Sequence, residues 1–240
     1  MNDFRFLRFA IRQDRCAMKV GTDGVLLGAW ARLDGCRRVL DVGSGTGLVA
    51  LMAAQRLEGL PGAGEWTVTG VELDGEAASQ AGEYVAASPW ASRVTVCRAD
   101  VREWSPDTPF DTLLCNPPFF TRSLRCPDDG RATARHDDTL SLDDLAQAAS
   151  RLLSRPEGTL QVVIPADRRT DMVAAAAGAG LYAVRETQVS TTPAKAPKRL
   201  LMRFAFTAAP LERDTLVIAD KDGIYTPAFT ALVKGFYLYV

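Results

Sequence analysis

The sequence predicts an α/β fold: a mostly parallel seven-stranded sheet with an antiparallel last strand and helices on both faces. Three observations predict it. Short apolar runs alternate with longer alanine- and leucine-rich segments from residue 37 to 180, the pattern of successive βαβ units. A glycine triplet, "GSGTG" at 43–47, joins the first of these runs to a helix. The last two runs, 181–190 and 199–207, have only "TTPAKAPK" between them and no helix, so they pair as an antiparallel hairpin that finishes the sheet.

In chain order, "DRCAMKVGTDGVLLGAW" at 14–30 reads as a charged turn and then a helix starting after Asp23. "RRVLDV" at 37–42 is a buried strand that runs through the glycines into the helix "LVALMAAQRL". A glycine-rich turn at 59–64 precedes the strand "WTVTGVELD" and a helix from about Glu76 to Ala87. "RVTVCRAD" and "FDTLLCN" are the third and fourth strands. Ser141 and Asp144 form a capping-box signature before "LAQAASRLL". "GTLQVVIP" is the fifth strand, followed by a helix from about Arg168 to Ala179. With no internal repeat and no long linker, residues 1–240 form one domain with an N-terminal extension over 1–30.

Composition narrows the function classes. At 47% apolar and 24% charged residues the chain is globular, not disordered. Its longest weakly polar stretch, around Met172 to Val184, is too short to span a bilayer, and the N-terminus has no apolar signal core. Five cysteines (16, 36, 97, 115 and 126) include no CxxC pair, which argues against a disulfide scaffold or a metal site and for a reducing cytoplasm. A net charge of −1 means that a nucleic-acid partner must meet a local basic patch. Oligomeric state stays open, with a monomer favoured.

The glycines of "DVGSGTG" permit a tight turn and a close backbone approach by a ligand facing a helix N-terminus. Alone, such a triplet is as compatible with simple packing. The spacing G-x-G-x-G at Gly43, Gly45 and Gly47 differs from the G-x-G-x-x-G of dinucleotide binders. Asp41, two residues before the first glycine, is placed to receive a ligand ammonium. Glu72 ends the second strand, where a carboxylate accepts from both hydroxyls of a ribose, and Asp100 ends the third, where it can accept from an adenine amine. An acidic rim of this kind fits S-adenosylmethionine, which has an amine, a free ribose and adenine but no phosphate. It would repel NADP. NAD is the rival.

The fourth strand ends in "NPPFF". The Asn116 side-chain oxygen and the Pro117 carbonyl can each accept one N–H of a planar amine, aiming the nitrogen lone pair at a sulfonium methyl. Pro117 and Pro118 hold the corner rigid, and Phe119 offers a face for a planar target. In isolation a structural Pro-Pro turn explains the same residues. Phe120 shapes the rim, Cys115 is a buried strand-end residue, and the lone His136 has no catalytic partner.

With "LDVGSGTGLVALMAAQR", "VELD", "SPWASRV", "CNPPFF" and "YTPAFTALVKGFYLYV", the segment at 14–30 resembles the bacterial tRNA (adenine-N6) methyltransferase family from about residue 4 to the C-terminus. The resemblance implies a Rossmann-like class I methyltransferase of the cytoplasm that methylates adenosine 37 in the anticodon arm of a valine tRNA. It implies that Asp41, Gly43, Gly45 and Glu72 bind S-adenosylmethionine, with Asp100 near its adenine. Lys19, Thr22 and Asp23 would lie over that pocket, and Asn116 to Phe119 would hold the target adenine. Many adenine enzymes carry NPPY. Phe119 keeps the stacking face without the phenol, and NPPF also occurs among guanine-N2 methyltransferases.

Three basic clusters are candidates for phosphate contacts: Arg5, Arg8, Arg12, Arg15 and Lys19, interleaved with Phe4, Phe6 and Phe9; Arg122, Arg125, Arg131 and Arg135 after the corner; and Lys195, Lys198 and Arg199 in the hairpin turn. Each alone also fits a solvated face. The rival functions are methyl transfer to guanine N2 of rRNA or to a protein glutamine amide and, outside the enzymes, a SAM-binding RNA chaperone.

Overall fold

A computed structural model describes residues 3–12, 21–62, 64–117 and 140–239. The predicted apolar runs become the parallel strands β3 (Arg38–Val42), β4 (Thr67–Glu72), β5 (Val94–Arg98), β6 (Thr112–Cys115) and β7 (Thr159–Pro165), preceded by the short hairpin strands β1 (Asp3–Arg5) and β2 (Ala10–Arg12). β8 (Tyr182–Ser190), β9 (Arg199–Ala205) and β10 (Glu212–Val217) complete the strands. The helices are α1 (Thr22–Trp30), α2 (Leu48–Gly59), α3 (Gly75–Ala86), α4 (Leu142–Leu152), α5 (Arg169–Gly178) and α6 (Pro227–Val233).

The main sheet runs β10-β8-β9-β7-β6-β3-β4-β5. β3 pairs in parallel with both β4 and β6, so the strand order reverses there and opens a crevice at the carboxyl ends of the strands. β9 is antiparallel to β7 and to β8, as the hairpin prediction requires. The sheet has eight strands where seven are expected. The additional one, β10, pairs in parallel with β8, and its residues 212–215 are all exposed, so its sequence carries a charged edge and not an apolar run.

Two apolar layers flank the sheet. Residues of α1, α2, α3 and α6 share one core, including Trp30, Leu51, Tyr84 and Phe229, whereas α4 and α5 pack Leu145, Leu152 and Met172 on the other face. α1 lies so close to α2 that a Cβ on Gly28 would sit 2.8 Å from Met52 Sδ. The capping box of α4 is present: Ser141 Oγ accepts from Asp144 N at 3.0 Å, and Asp144 accepts in return from Ser141 N at 3.2 Å.

The N-terminal aromatics turn inward. Phe6 and Phe9 stack with centroids 4.6 Å apart, both buried, and Leu7 N donates to Phe236 O at 2.8 Å. Their interleaving with arginine therefore builds a hairpin docked on the C-terminal segment, with Arg8 paired to Glu58 and lying over the Trp90 ring. No helix among the described residues is long and apolar enough to cross a membrane.

Candidate active site

The crevice beside β3 is shaped by backbone that only glycine tolerates. Gly43, Gly45 and Gly47 have φ of 66°, 52° and 75°. The Val71 carbonyl of neighbouring β4 accepts from both Gly43 N (2.9 Å) and Ser44 N (3.2 Å), tying the loop to the sheet. Among the described residues a Cβ on Gly43 would meet nothing within 4 Å, which leaves that backbone open to a ligand. Gly47 serves packing, since its Cβ would lie 3.4 Å from Ala81 Cβ of α3. Gly70 of β4 leaves room for Ser44, whose hydroxyl oxygen would be 3.0 Å from an added Cβ and is buried with no hydrogen-bond partner among the described residues.

Asp41 and Glu72 line this loop. Asp41 is 2% exposed, and its Oδ2 accepts from Ala50 N at 3.0 Å in the first turn of α2. Burial pushes its pKa from 3.8 to about 7, against the Ala50 hydrogen bond, and the Glu72 charge adds to the rise. Glu72 Oε2 accepts from Gly45 N at 2.8 Å and Oε1 from Asp74 N at 3.0 Å. Each carboxylate oxygen retains a lone pair for a ribose hydroxyl. Leu73, between Glu72 and the α3 N-cap Asp74, is 41% exposed and offers an apolar face that the sequence analysis did not single out.

Two predicted ligands are already engaged. Asp100 is forked by Arg102, with Nε 2.9 Å from each carboxylate oxygen, and this hydrogen bonding holds its pKa below the ordinary value. An adenine amine would have to share that carboxylate. Asp23 accepts from Arg199 Nε at 2.8 Å, strapping the start of α1 to the start of β9, while Thr22 beside it is exposed. Arg199 is thus drawn out of the free basic cluster of the hairpin turn.

β6 lies between β3 and β7, with Cys115 in register with Val42, so Asn116 follows alongside Gly43 on the carboxyl edge. Asn116 is half-buried and Pro117 buried. Burial, with Asp41 and Glu72 adding, drives the Cys115 thiol well above its ordinary pKa, which suits a strand end and not a nucleophile. Lys195 and Lys198 are exposed on the same edge, in the turn from β8 to β9. Lys19, Pro118, Phe119, Phe120, Arg122, Arg125, Arg131, Arg135 and His136 lie outside the described residues, as do Arg15 and the side chain of Arg12.

Residues 39–135 match the profile of a methyltransferase domain. A tRNA1(Val) (adenine(37)-N6)-methyltransferase of Phocaeicola vulgatus is 44% identical over 235 residues, 98% of this chain and 97% of the relative. The chain belongs to the tRNA1(Val) (adenine(37)-N6)-methyltransferase family. A Klebsiella pneumoniae member is 41% identical over 241 residues, 100% of this chain and 96% of its own. Among solved structures, a predicted O-methyltransferase of Agrobacterium tumefaciens superposes with a TM-score of 0.67 at 22% identity, covering 89% of this chain and 96% of its own. A glycopeptide N-methyltransferase complexed with S-adenosyl-L-methionine has a TM-score of 0.55 at 13% identity, over 79% of this chain and all of its own. These likenesses confirm the Rossmann-like methyltransferase fold of this member of the tRNA1(Val) methyltransferase family.

The loop glycines, Asp41, Glu72 and Asn116 lie together at the carboxyl edge of β3, β4 and β6. They fit S-adenosylmethionine on chemical grounds: open backbone at Gly43, a buried orphan hydroxyl at Ser44, and two carboxylates with no ion pair to an internal cation among the described residues. Ser44 and Leu73 escape sequence reasoning because burial and exposure, not residue type, distinguish them.

Proposed function

We propose that this chain is an enzyme that methylates the N6 amine of adenosine 37 in a valine tRNA, using S-adenosylmethionine. The observation that carries the reading is Asn116 standing beside Gly43 at the strand-order reversal, in a chain 44% identical to a relative named for that reaction. S-adenosylmethionine, when bound, supplies a methyl on a positively charged sulfur. Asp41 and Glu72 provide the negative field that favours this cation, and Glu72 has acceptors for the ribose. Leu73 lies where an adenine ring can rest beside Glu72. The Asn116 side-chain oxygen and the Pro117 carbonyl take the two N–H groups of the target amine and orient its lone pair. Pro118 and Phe119, outside the described residues, would supply the rigidity and the stacking face expected of the corner. The amine needs no strong base, because its proton becomes acidic once the methyl is on nitrogen. Catalysis here is orientation and electrostatics.

The same reading places the protein in the cytoplasm and takes residues 1–240 as one methyltransferase domain, the latter supported by the bridge that joins Phe6 of the N-terminal segment to Tyr237 near the C-terminus. Lys195 and Lys198, together with Arg122, Arg125, Arg131 and Arg135, would contact phosphates of the anticodon arm while the base swings out. The test is methyl transfer from labelled S-adenosylmethionine to bulk tRNA lacking the modification, followed by nucleoside analysis. Label in N6-methyladenosine is expected. Label in methylguanosine, or only in protein, would overturn the base or substrate assignment.

A further inference from the structure

The carboxyl edge carries a second built feature beyond the corner. β10 ends at Val217, and Ile218 N and Ala219 N donate to Ser190 O and Thr191 O at 2.9 and 3.0 Å. The turn after β10 therefore rises directly beside the 191–198 turn that bears Lys195 and Lys198. It is internally fixed. Asp220 Oδ1 accepts from Asp222 N and Ile224 N, both at 2.9 Å, and Asp220 N donates to Ile224 O at 2.8 Å. Gly223 takes φ 83°, and Thr226 Oγ1 both donates to Val217 O and caps α6.

This rigid turn exposes apolar surface. Ile224 is 67% exposed and Tyr225 45%, with the Tyr225 ring braced by buried Phe229 at 4.8 Å. Scattered surface apolar residues need no explanation. Here two adjacent ones are held out on the substrate edge, next to three lysines (195, 198 and 221) with no ion pair among the described residues. Those lysines outnumber the turn's two aspartates, and the Asp220 carboxylate is turned inward. From β6 to β10 the edge spans four strand spacings, about 19 Å, a length suited to several nucleotides of an RNA loop.

We infer that the turn 220–225 is an RNA-recognition element, in which Tyr225 and Ile224 form a platform for an unpaired base of the same anticodon loop that presents the target. Lys195, Lys198 and Lys221 hold the flanking phosphates. The inference rests on the tRNA reading above and adds a contact remote from the reacting atoms. Base stacking on an aromatic side chain tolerates any base, so the platform fixes position more than sequence.

The experiment measures kcat and KM for tRNA, with the dissociation constant of S-adenosylmethionine, for wild type, Tyr225→Ala, Tyr225→Phe and Ile224→Ser. Ile224→Ser guards against misfolding, because that side chain is mostly in solvent. Tyr225→Ala and Ile224→Ser should raise KM for tRNA about tenfold or more, leaving kcat and cofactor affinity unchanged. Tyr225→Phe should restore the wild-type KM. Unchanged KM in both truncations would overturn the inference. So would a Tyr225→Phe defect equal to that of alanine. Wild type that fails to methylate tRNA at all would instead sink the function on which the inference stands.

Discussion

Replacing Asp41 by Asn should stabilise the ligand-free protein at alkaline pH while weakening cofactor binding. The carboxyl is buried, and its pKa rises from 3.8 to about 7, chiefly through burial with Glu72 adding. Because the folded-state value lies above the unfolded one, the native protein holds this proton more tightly. That stabilisation is complete below about 3.8 and is lost as pH climbs to about 7. Each pH unit in the interval is worth about 1.4 kcal/mol, so ionised Asp41 costs the fold about 4 kcal/mol above pH 7. Asparagine keeps an oxygen to accept from Ala50 N and removes the charge. For a chain of this size, thermal unfolding from pH 5 to 8.5 should show Asp41→Asn gaining on wild type with rising pH, to about 10 °C at pH 8. Saturating S-adenosylmethionine should narrow the gap, since a cation then faces the wild-type carboxylate. A difference that does not depend on pH, or a variant less stable throughout, would refute the burial argument.

Three further outcomes are expected. Asn116→Ala should lower kcat by about 10²-fold or more while the cofactor dissociation constant, read by calorimetry, stays within a few-fold of wild type. Gly70→Ala would press a Cβ to 3.0 Å from Ser44 Oγ and 3.2 Å from Val96 Cγ2. It should cost about 1–3 kcal/mol, divided between the melting temperature and cofactor affinity, both of which are directly measurable. Replacing Lys195 and Lys198 together with alanine should reduce the slope of log affinity for tRNA against log salt by about 1.4, and an unchanged slope would remove them from the phosphate contacts.

The strands and the glycine loop were legible because their physics is local. β6 is buried along its whole length, and a turn with three positive φ values admits little but glycine. β10 was not legible, since "ERDTLV" buries only Leu216 and owes its strand to β8. The three-residue strands β1 and β2 owe theirs to contact with the distant C-terminal segment. The positions of Asp41, Glu72 and Asn116 were readable because each sits at or next to a strand end. The partners that change the meaning of other acids were not: Arg199 reaches Asp23 across 176 positions, and Arg102 turns back on Asp100 within a loop. Nor did the sequence reveal that Phe6 and Phe9, interleaved with the N-terminal arginines, are packed inside.

Valine tRNA transcripts carrying adenosine or guanosine at position 37, offered with labelled S-adenosylmethionine, separate the central claim from its rivals most directly. Methyl incorporation near one per molecule into the adenosine transcript, with none into the guanosine transcript, is the predicted result. Equal labelling of both, or labelling of neither while S-adenosylmethionine remains bound, would contradict methylation of adenosine 37.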